Sequence, residues 1–342
     1  MGRFAGPGKT VLVKPNLLVP QPPEKAITTH PLVLKSVLQL VQEAGGRPLV
    51  GDSPSAHKAG HERLWTKTGM LGVCNELGVE LVRFESETVT VKAGQRMLCL
   101  SARALNADAI VSVPKFKTHA LTLMTCAIKN LYGVVPGYSK TAYHMEYSDP
   151  VDFAELLVSI FERARPALTV VDAVIGLQGN GPSSGGRPRH VGLIIAGTDA
   201  VAIDAVCAHL MGFGENDVMT TNIAARRGLG VKDLAHIRID GPPLESVKPQ
   251  KYLLPIGVPM RILPAGITRI AERLLWIRPS FRQNCRRCGE CSSKCPAGAI
   301  RVVDGRPDLI SGKCIECLCC LEACPHDAVA MKYSFLAGLF LA

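Results

Sequence analysis

Nine of the chain's thirteen cysteines fall within its last sixty residues, in two runs of one pattern, Cys-x2-Cys-x2-Cys-x3-Cys-Pro. The first run is Cys285, Cys288, Cys291, Cys295 and Pro296; the second is Cys314, Cys317, Cys320, Cys324 and Pro325. Thiols at this density either cross-link or bind metal. The opening MGRFAGPGKTVLV has none of the charged, apolar and small-residue succession of a secretory signal. A cytoplasmic, reducing location is therefore expected, and with it metal ligation rather than disulfides. Zinc sites place two well-separated Cys-x2-Cys pairs on one ion. A doubled four-cysteine run instead suits two [4Fe–4S] clusters, each loop giving three thiolates to one cube and its fourth to the other. The expected ligands are Cys285, Cys288, Cys291 and Cys324 for one cluster, and Cys314, Cys317, Cys320 and Cys295 for the other. Cys319 fits neither set and reads as a spare thiol near the second.

Taken in full, the two runs resemble the bacterial two-cluster ferredoxin. The remaining residues must bring a partner or a substrate to such a module. At 342 residues the chain has room for about two domains. No apolar run approaches the ~18 residues that cross a bilayer. The tail YSFLAGLFLA reads as a terminal helix docked on the protein, so no stable membrane anchor is expected. Of the net charge of +10, nearly all lies before residue 285, because residues 285–342 hold seven Lys/Arg against six acids. That balance suits nucleic acid, an acidic lipid surface or an anionic substrate. No nucleic-acid-reading module is recognisable, and nucleic acid is not expected.

The expected division is an α/β domain over 1–241, a linker over 242–284, the cluster module over 285–332 and the apolar tail over 333–342. The linker holds a basic amphipathic piece, RILPAGITRIAERLLWIRP, read as a helix. In the first domain β-rich runs alternate with amphipathic helices: TVLV, RPLVGDSP, ELVRF, AIVSV, LTVV and VGLII as strands, TVTVKAGQRMLCLS as a hairpin. Helices are expected after His30-Pro31, over HERLWTKTGMLGVCNELG, at 120–131, at 151–164 and over DAVAIDAVCAHLMG. The pattern predicts a mostly parallel sheet with helices on both faces, followed by a small α+β ferredoxin-like domain.

In open parallel sheets, ligands bind beyond the carboxyl ends of the strands, and polar motifs follow several of these strands. Lys14-Pro15-Asn16 follows the first and Gly51–Pro54, read as a turn, the second. PKFKTH follows AIVSV; if extended, it points Lys115, Lys117 and His119 to one face. Lys129 and Asn130 end the helix after it. The run GNGPSSGG offers backbone N–H groups of Gly179, Asn180 and Gly181 to an anion. It is neither a Walker loop nor a dinucleotide fingerprint. Thr198 and Asp199 read as a helix N-cap, with Asp204 one turn on facing solvent or crevice. Cys74, Cys99, Cys126 and Cys207 read as core fillers.

The segments LVKPNLL, VPKFKTH, IKNLYGVVPG, LQGNGP and GTDAVAIDAV, joined to the two cysteine runs, resemble the prokaryotic iron–sulfur family known as domain of unknown function 362. The likeness covers nearly the whole chain. It implies an α/β domain carrying a C-terminal two-cluster ferredoxin module, common in anaerobes, and no particular reaction. Family members usually have a strand and helix before the Lys-Pro-Asn strand, whereas this chain begins almost at that strand. The leading expectation is an oxidoreductase that takes electrons from a soluble donor such as a ferredoxin. It would deliver them to an anion held by Lys14, Asn16, Lys115, Lys117, Lys129, Asn130 and the glycine run. His119 is the expected general acid, because imidazole titrates near neutrality; His30 and His144 are lesser candidates. The alternative is a non-catalytic electron-transfer or scaffold subunit whose basic crevice docks an acidic protein.

Overall fold

The computed structural model describes residues 1–54, 60–183, 185–255 and 276–335. Its larger part is built on an eight-stranded sheet. Strands β1 (Thr10–Pro15), β2 (Arg47–Gly51) and β3 (Glu80–Val82) run parallel, and a hairpin of β4 (Thr88–Ala93) and β5 (Arg96–Ser101) stands apart. Beyond β1 come β6 (Ala109–Val113) and then β9 (Leu168–Gly179), both parallel to it. β7 (Lys115–His119) also lies parallel to β9, while β8 (Leu123–Thr125) and β10 (Gly186–Gly197) are antiparallel additions. The order is β3-β2-β1-β6-β9-β7-β8, with β10 on the other edge of β9.

The strands alternate as a two-sided core requires. Val11 and Val13 of β1, with Val111 and Val113 of β6, pack under the helix Pro31–Glu43. Leu12 and Ile110 point the other way, against the helix Pro150–Arg163 and the hairpin. Both sheet faces are thus covered, which makes the domain α/β with a mostly parallel sheet.

Several elements differ from expectation. The helix over 60–77 is broken in two at Gly69, whose φ of +77° helical residues do not adopt. The stretch 120–131 holds β8 and a single turn, Ala127–Asn130, instead of one helix. β9 does not stop after Val171 but runs on to Gly179, so Asp172 lies inside a strand.

The small C-terminal part pairs β11 (Ile277–Phe281) with β14 (Val329–Tyr333), and β12 (Ile300–Val303) with β13 (Arg306–Leu309). Most of the expected linker helix and of the apolar tail lies outside the described residues. No helix among the described residues is long and apolar enough to cross a membrane.

Candidate functional site

β6 and β7 follow one another along one flank of β9, with Pro114 between them, whereas their neighbour β1 stops at Pro15. The difference in length opens a hollow beyond the end of β1, as expected for an open parallel sheet. The hollow holds a cavity of about 60 Å³, walled by Asn16, Asp52, Lys117, His119, Thr125, Lys129, Asn130, Tyr132, Lys140, His144 and Glu322. A larger cavity of about 550 Å³ lies between β10 and residues 231–247, away from these cations. It is lined mainly by aliphatic side chains, and we place the chemistry in the smaller one.

Two of the expected anion-binding lysines carry their own counter-ions. Lys14 Nζ lies 2.9 Å from Asp52 Oδ1, and Lys115 Nζ lies 2.8 Å from Asp172 Oδ2, all four side chains being buried. A buried ammonium is tolerable only when paired, and the pairing leaves Lys14 and Lys115 as structural cations rather than free ligands for an anion. Asp52 also accepts from Leu17 N, and Asp172 from His30 N, so each carboxylate ties a strand end to a neighbouring segment. Asn130 joins in, accepting from Lys14 and Asn16 and donating to Ser112. The backbone passes so close over the Lys14–Asp52 pair that a Cβ on Gly133 would sit 1.9 Å from Asp52 Oδ1, which explains the glycine in IKNLYGVVPG.

Lys117, Lys129 and Lys140 differ. Among the described residues no carboxylate lies within ion-pair distance of any of them. Lys117 Nζ donates to Ile27 O at 2.7 Å, and Lys140 Nζ donates to Ser53 O. Lys129 and Lys140 lie 5.7 and 5.3 Å from the centre of the Tyr132 ring. Burial, with the charge of Lys129 adding to it, holds the Lys117 pKa down to about 7. Burial brings Lys140 to about 8, and lowers Lys129 as well.

His119 takes a different part from the one expected. Its Nδ1 accepts from the N–H groups of Leu121 and Thr122, so the proton of the neutral ring sits on Nε2. Burial and the nearby Lys129 charge push its pKa to about 3. It is therefore neutral at pH 7 and cannot serve as an imidazolium acid there. Nε2 faces Glu322 Oε1 at 3.1 Å, close but not aligned as a hydrogen bond. His144, stacked on Phe153 at 4.5 Å, is held by burial at about 4, and His30 caps the helix that follows it. Asp204 faces neither solvent nor crevice: buried, it accepts from Ala127 N and Ile128 N and fixes the turn that carries Lys129.

The glycine run is already engaged. Gly179 N donates to Leu253 O and Gly181 N to Gly179 O. Asn180 reaches the Tyr333 hydroxyl and Ser183 the Leu321 carbonyl, so this run fastens the C-terminal part to β9. Among its described residues it holds no free row of N–H groups for an anion. Of its described residues, Pro182 alone reaches the cavity wall.

The C-terminal part repeats itself with an offset of 29 residues, which carries Cys285 to Cys314 and Cys295 to Cys324. The backbone repeats with it. Arg287, Gly289 and Gly298 have positive φ, and so do Glu316, Leu318 and Asp327. Ala299 N donates to Cys295 Sγ as Ala328 N does to Cys324 Sγ, at 3.1 and 3.3 Å. The fold places Cys285, Cys288, Cys291 and Cys324 around one hollow, and Cys295, Cys314, Cys317 and Cys320 around another. Four sulfurs round a space, with amides donating to them, fit a thiolate-held cluster. Among the described residues no three metal-binding side chains converge on a point as a single ion requires. Glu322 lies on the helix Cys319–Ala323, between cysteines of the two sets, and closes the cation-lined cavity from the cluster side.

The family model for the domain of unknown function DUF362 matches residues 11–209, and that for a 4Fe-4S dicluster domain matches residues 281–325. The chain belongs to the DUF362 family. Among similar proteins, the thylakoid-associated protein sll1697 of Synechocystis sp. is 38% identical over 237 residues, 69% of this chain and 72% of that one. A component of an ion-translocating oxidoreductase complex from Methanosarcina acetivorans is 38% identical over 48 residues, 14% of this chain and 18% of its own. An iron–sulfur protein of Rhodospirillum rubrum is 36% identical over 50 residues, 14% of this chain and 26% of its own. The lactate racemase apoprotein of Thermoanaerobacterium thermosaccharolyticum superposes with a TM-score of 0.42 at 12% identity, over 60% of this chain and 50% of that one. This DUF362 chain is thus an iron–sulfur protein with a 4Fe-4S ferredoxin-like domain, similar there to electron-transfer proteins. Three of its cavity residues, Lys140, Tyr132 and Glu322, escape a reading from strand ends, and Asp52, which does follow a strand, reads only as a turn. Lys140 and Tyr132 come from the segment after β8, and Glu322 from the cluster module.

Proposed function

We propose that the chain is an oxidoreductase that holds two [4Fe–4S] clusters and passes their electrons to an anion bound between its two parts. Cys285, Cys288, Cys291 and Cys324 would hold one cluster, and Cys314, Cys317, Cys320 and Cys295 the other. When bound, the clusters supply single electrons at low potential. The observation that carries the reading is Glu322. Set just before Cys324, it lines the same cavity as Lys117, Lys129 and Lys140, so cofactor-bearing helix and cationic cavity form one site. Lys129 and Lys140 attract the anion as point charges. Lys117, poised near neutrality, holds the anion when protonated and can yield its proton to a reduced product. His119 orients Glu322 and keeps water from the buried carboxylate.

The far side of the cluster module supports entry of electrons from a soluble acidic donor such as a ferredoxin. Cys288 is exposed there, beside exposed Arg282, Arg286 and Arg287. The test is electron paramagnetic resonance of the dithionite-reduced protein with and without added phosphate. Anion binding next to the helix of Glu322 should shift the signal of the cluster held by Cys314, Cys317 and Cys320, and Lys129→Met should abolish the shift. A spectrum indifferent to every anion would instead favour the scaffold alternative.

A further inference from the structure

Resting on that reading, we infer that the cavity takes a small oxyanion of about three to five non-hydrogen atoms that carries a hydroxyl of its own, such as hydrogencarbonate, hydrogensulfite or hydrogenphosphate. Size is the first argument. A buried water needs about 10–15 Å³ of such space, and an apolar cavity of roughly 150 Å³ takes up benzene. The cavity here measures about 60 Å³, which leaves no room for a nucleotide, a flavin or a citrate-sized acid.

The walls supply the second argument. Donors are plentiful, from Lys117, Lys129 and Lys140, and an oxyanion answers them with its oxygens. Yet Asn16 Oδ1, a buried acceptor among the lining residues, has no hydrogen-bond partner, and Thr125 Oγ1 has none either. Asn16 lines the cavity, and its amide nitrogen is committed to Asn130 Oδ1, which leaves the oxygen as its unmatched atom. A buried acceptor left unmatched is costly. A fully deprotonated anion such as nitrate or formate offers these atoms nothing. An anion with an O–H satisfies the lysines with one end and Asn16 with the other.

The test is calorimetric titration of anaerobic holoprotein at constant ionic strength with hydrogencarbonate, hydrogensulfite, phosphate, nitrate, formate, citrate and ADP. The hydroxyl-bearing small anions should bind about tenfold or more tightly than nitrate and formate, and citrate and ADP should be the weakest. Asn16→Leu should erase the preference for the hydroxyl, and Thr125→Val should weaken it without removing any charge. Nitrate binding as tightly as hydrogencarbonate, or citrate or ADP binding best, overturns this inference while leaving an anion site for electron delivery. No heat with any of the seven anions overturns that reading as well. The relative affinities of hydrogencarbonate, hydrogensulfite and phosphate then separate a one-carbon from a sulfur or phosphorus oxyanion.

Discussion

The two halves of the cluster module share a backbone and differ in what they face. Positions 29 apart adopt the same turns, place their cysteines alike and donate the same amides to sulfur. In the first half, Cys288 and the arginines beside it are exposed. In the second, Leu321 and Glu322 are buried against Ser183 and His119 of the α/β domain. The counterpart of Glu322 is Ser293, whose hydroxyl only bonds back to Glu290 O. A duplicated module thus offers one half to solvent and the other to a cationic cavity, and a single acid marks the difference. A carboxylate among three buried lysines offsets part of their mutual repulsion, which is reason enough for its burial.

The largest effect should come from the cysteines that cross between halves. Anaerobic protein is expected to carry about eight iron per chain. Cys295→Ser should cost mainly the cluster held by Cys314, Cys317 and Cys320, although Cys295 belongs to the first run. Iron analysis with electron paramagnetic resonance separates the outcomes. Loss of the cluster held by Cys285, Cys288 and Cys291 instead would break the crossed assignment.

Next in size is the pair Glu322→Gln and Ser293→Ala. Burial opposes the charge on Glu322, but His119, Lys129 and His144 hold its pKa down to about 2. Removing that charge leaves buried cations uncompensated and should cost about 3–5 kcal/mol in denaturant unfolding of the holoprotein. Ser293→Ala should stay within ~0.5 kcal/mol. Equal effects at the two positions would mean that the halves are not used differently.

Lys117→Met probes the cavity side of the same contrast. The folded-state pKa of Lys117, about 7, lies below the ordinary lysine value of 10.5. The unfolded chain therefore binds the extra proton between those values, and the anion-free protein should gain stability as pH rises from about 7 to 10. The penalty is fully present below pH 7. Lys117→Met removes it, so the variant should exceed the wild type by on the order of 1–3 kcal/mol at pH 6, with the gap closing toward pH 10. Affinity for phosphate should fall as pH climbs through 7–8 in the wild type, and that component should vanish in the variant. A variant less stable at pH 6 would show that Lys117 is held by a structural partner.

The cysteine spacing made the repeat legible, because a duplicated loop needs no distant information. The succession of short β-rich runs and amphipathic helices made the sheet legible for the same reason. Cavity chemistry was less so. Lys115 and Lys117 sit two residues apart on one strand, yet only Lys115 meets an aspartate, and that aspartate comes from β9, 57 residues on. Asp52 looked like a turn residue because its partner, Lys14, is on another strand. His119 looked like an acid because local sequence carries no measure of burial. Glu322 lies among cysteines whose pattern explains it away, and only the docking of the two parts gives it a role.

The smallest effect is expected at Cys319. The repeat aligns it with Glu290, a position with no ligand duty in the first half. Two residues from the ligand Cys317, its thiol stands to donate to a sulfur of that cluster, and such bonds stabilise the more negative, reduced state of a cluster and raise its potential. Cys319→Ala should therefore keep the full iron content and move one potential only, making the cluster held by Cys314, Cys317 and Cys320 harder to reduce. Glu290→Ala, at the equivalent place, removes no thiol and should leave that potential where it was. Potentiometric titration of both variants decides it: loss of iron in Cys319→Ala would make the thiol a ligand, and an unchanged potential would make it a bystander beside the cluster nearest the cavity.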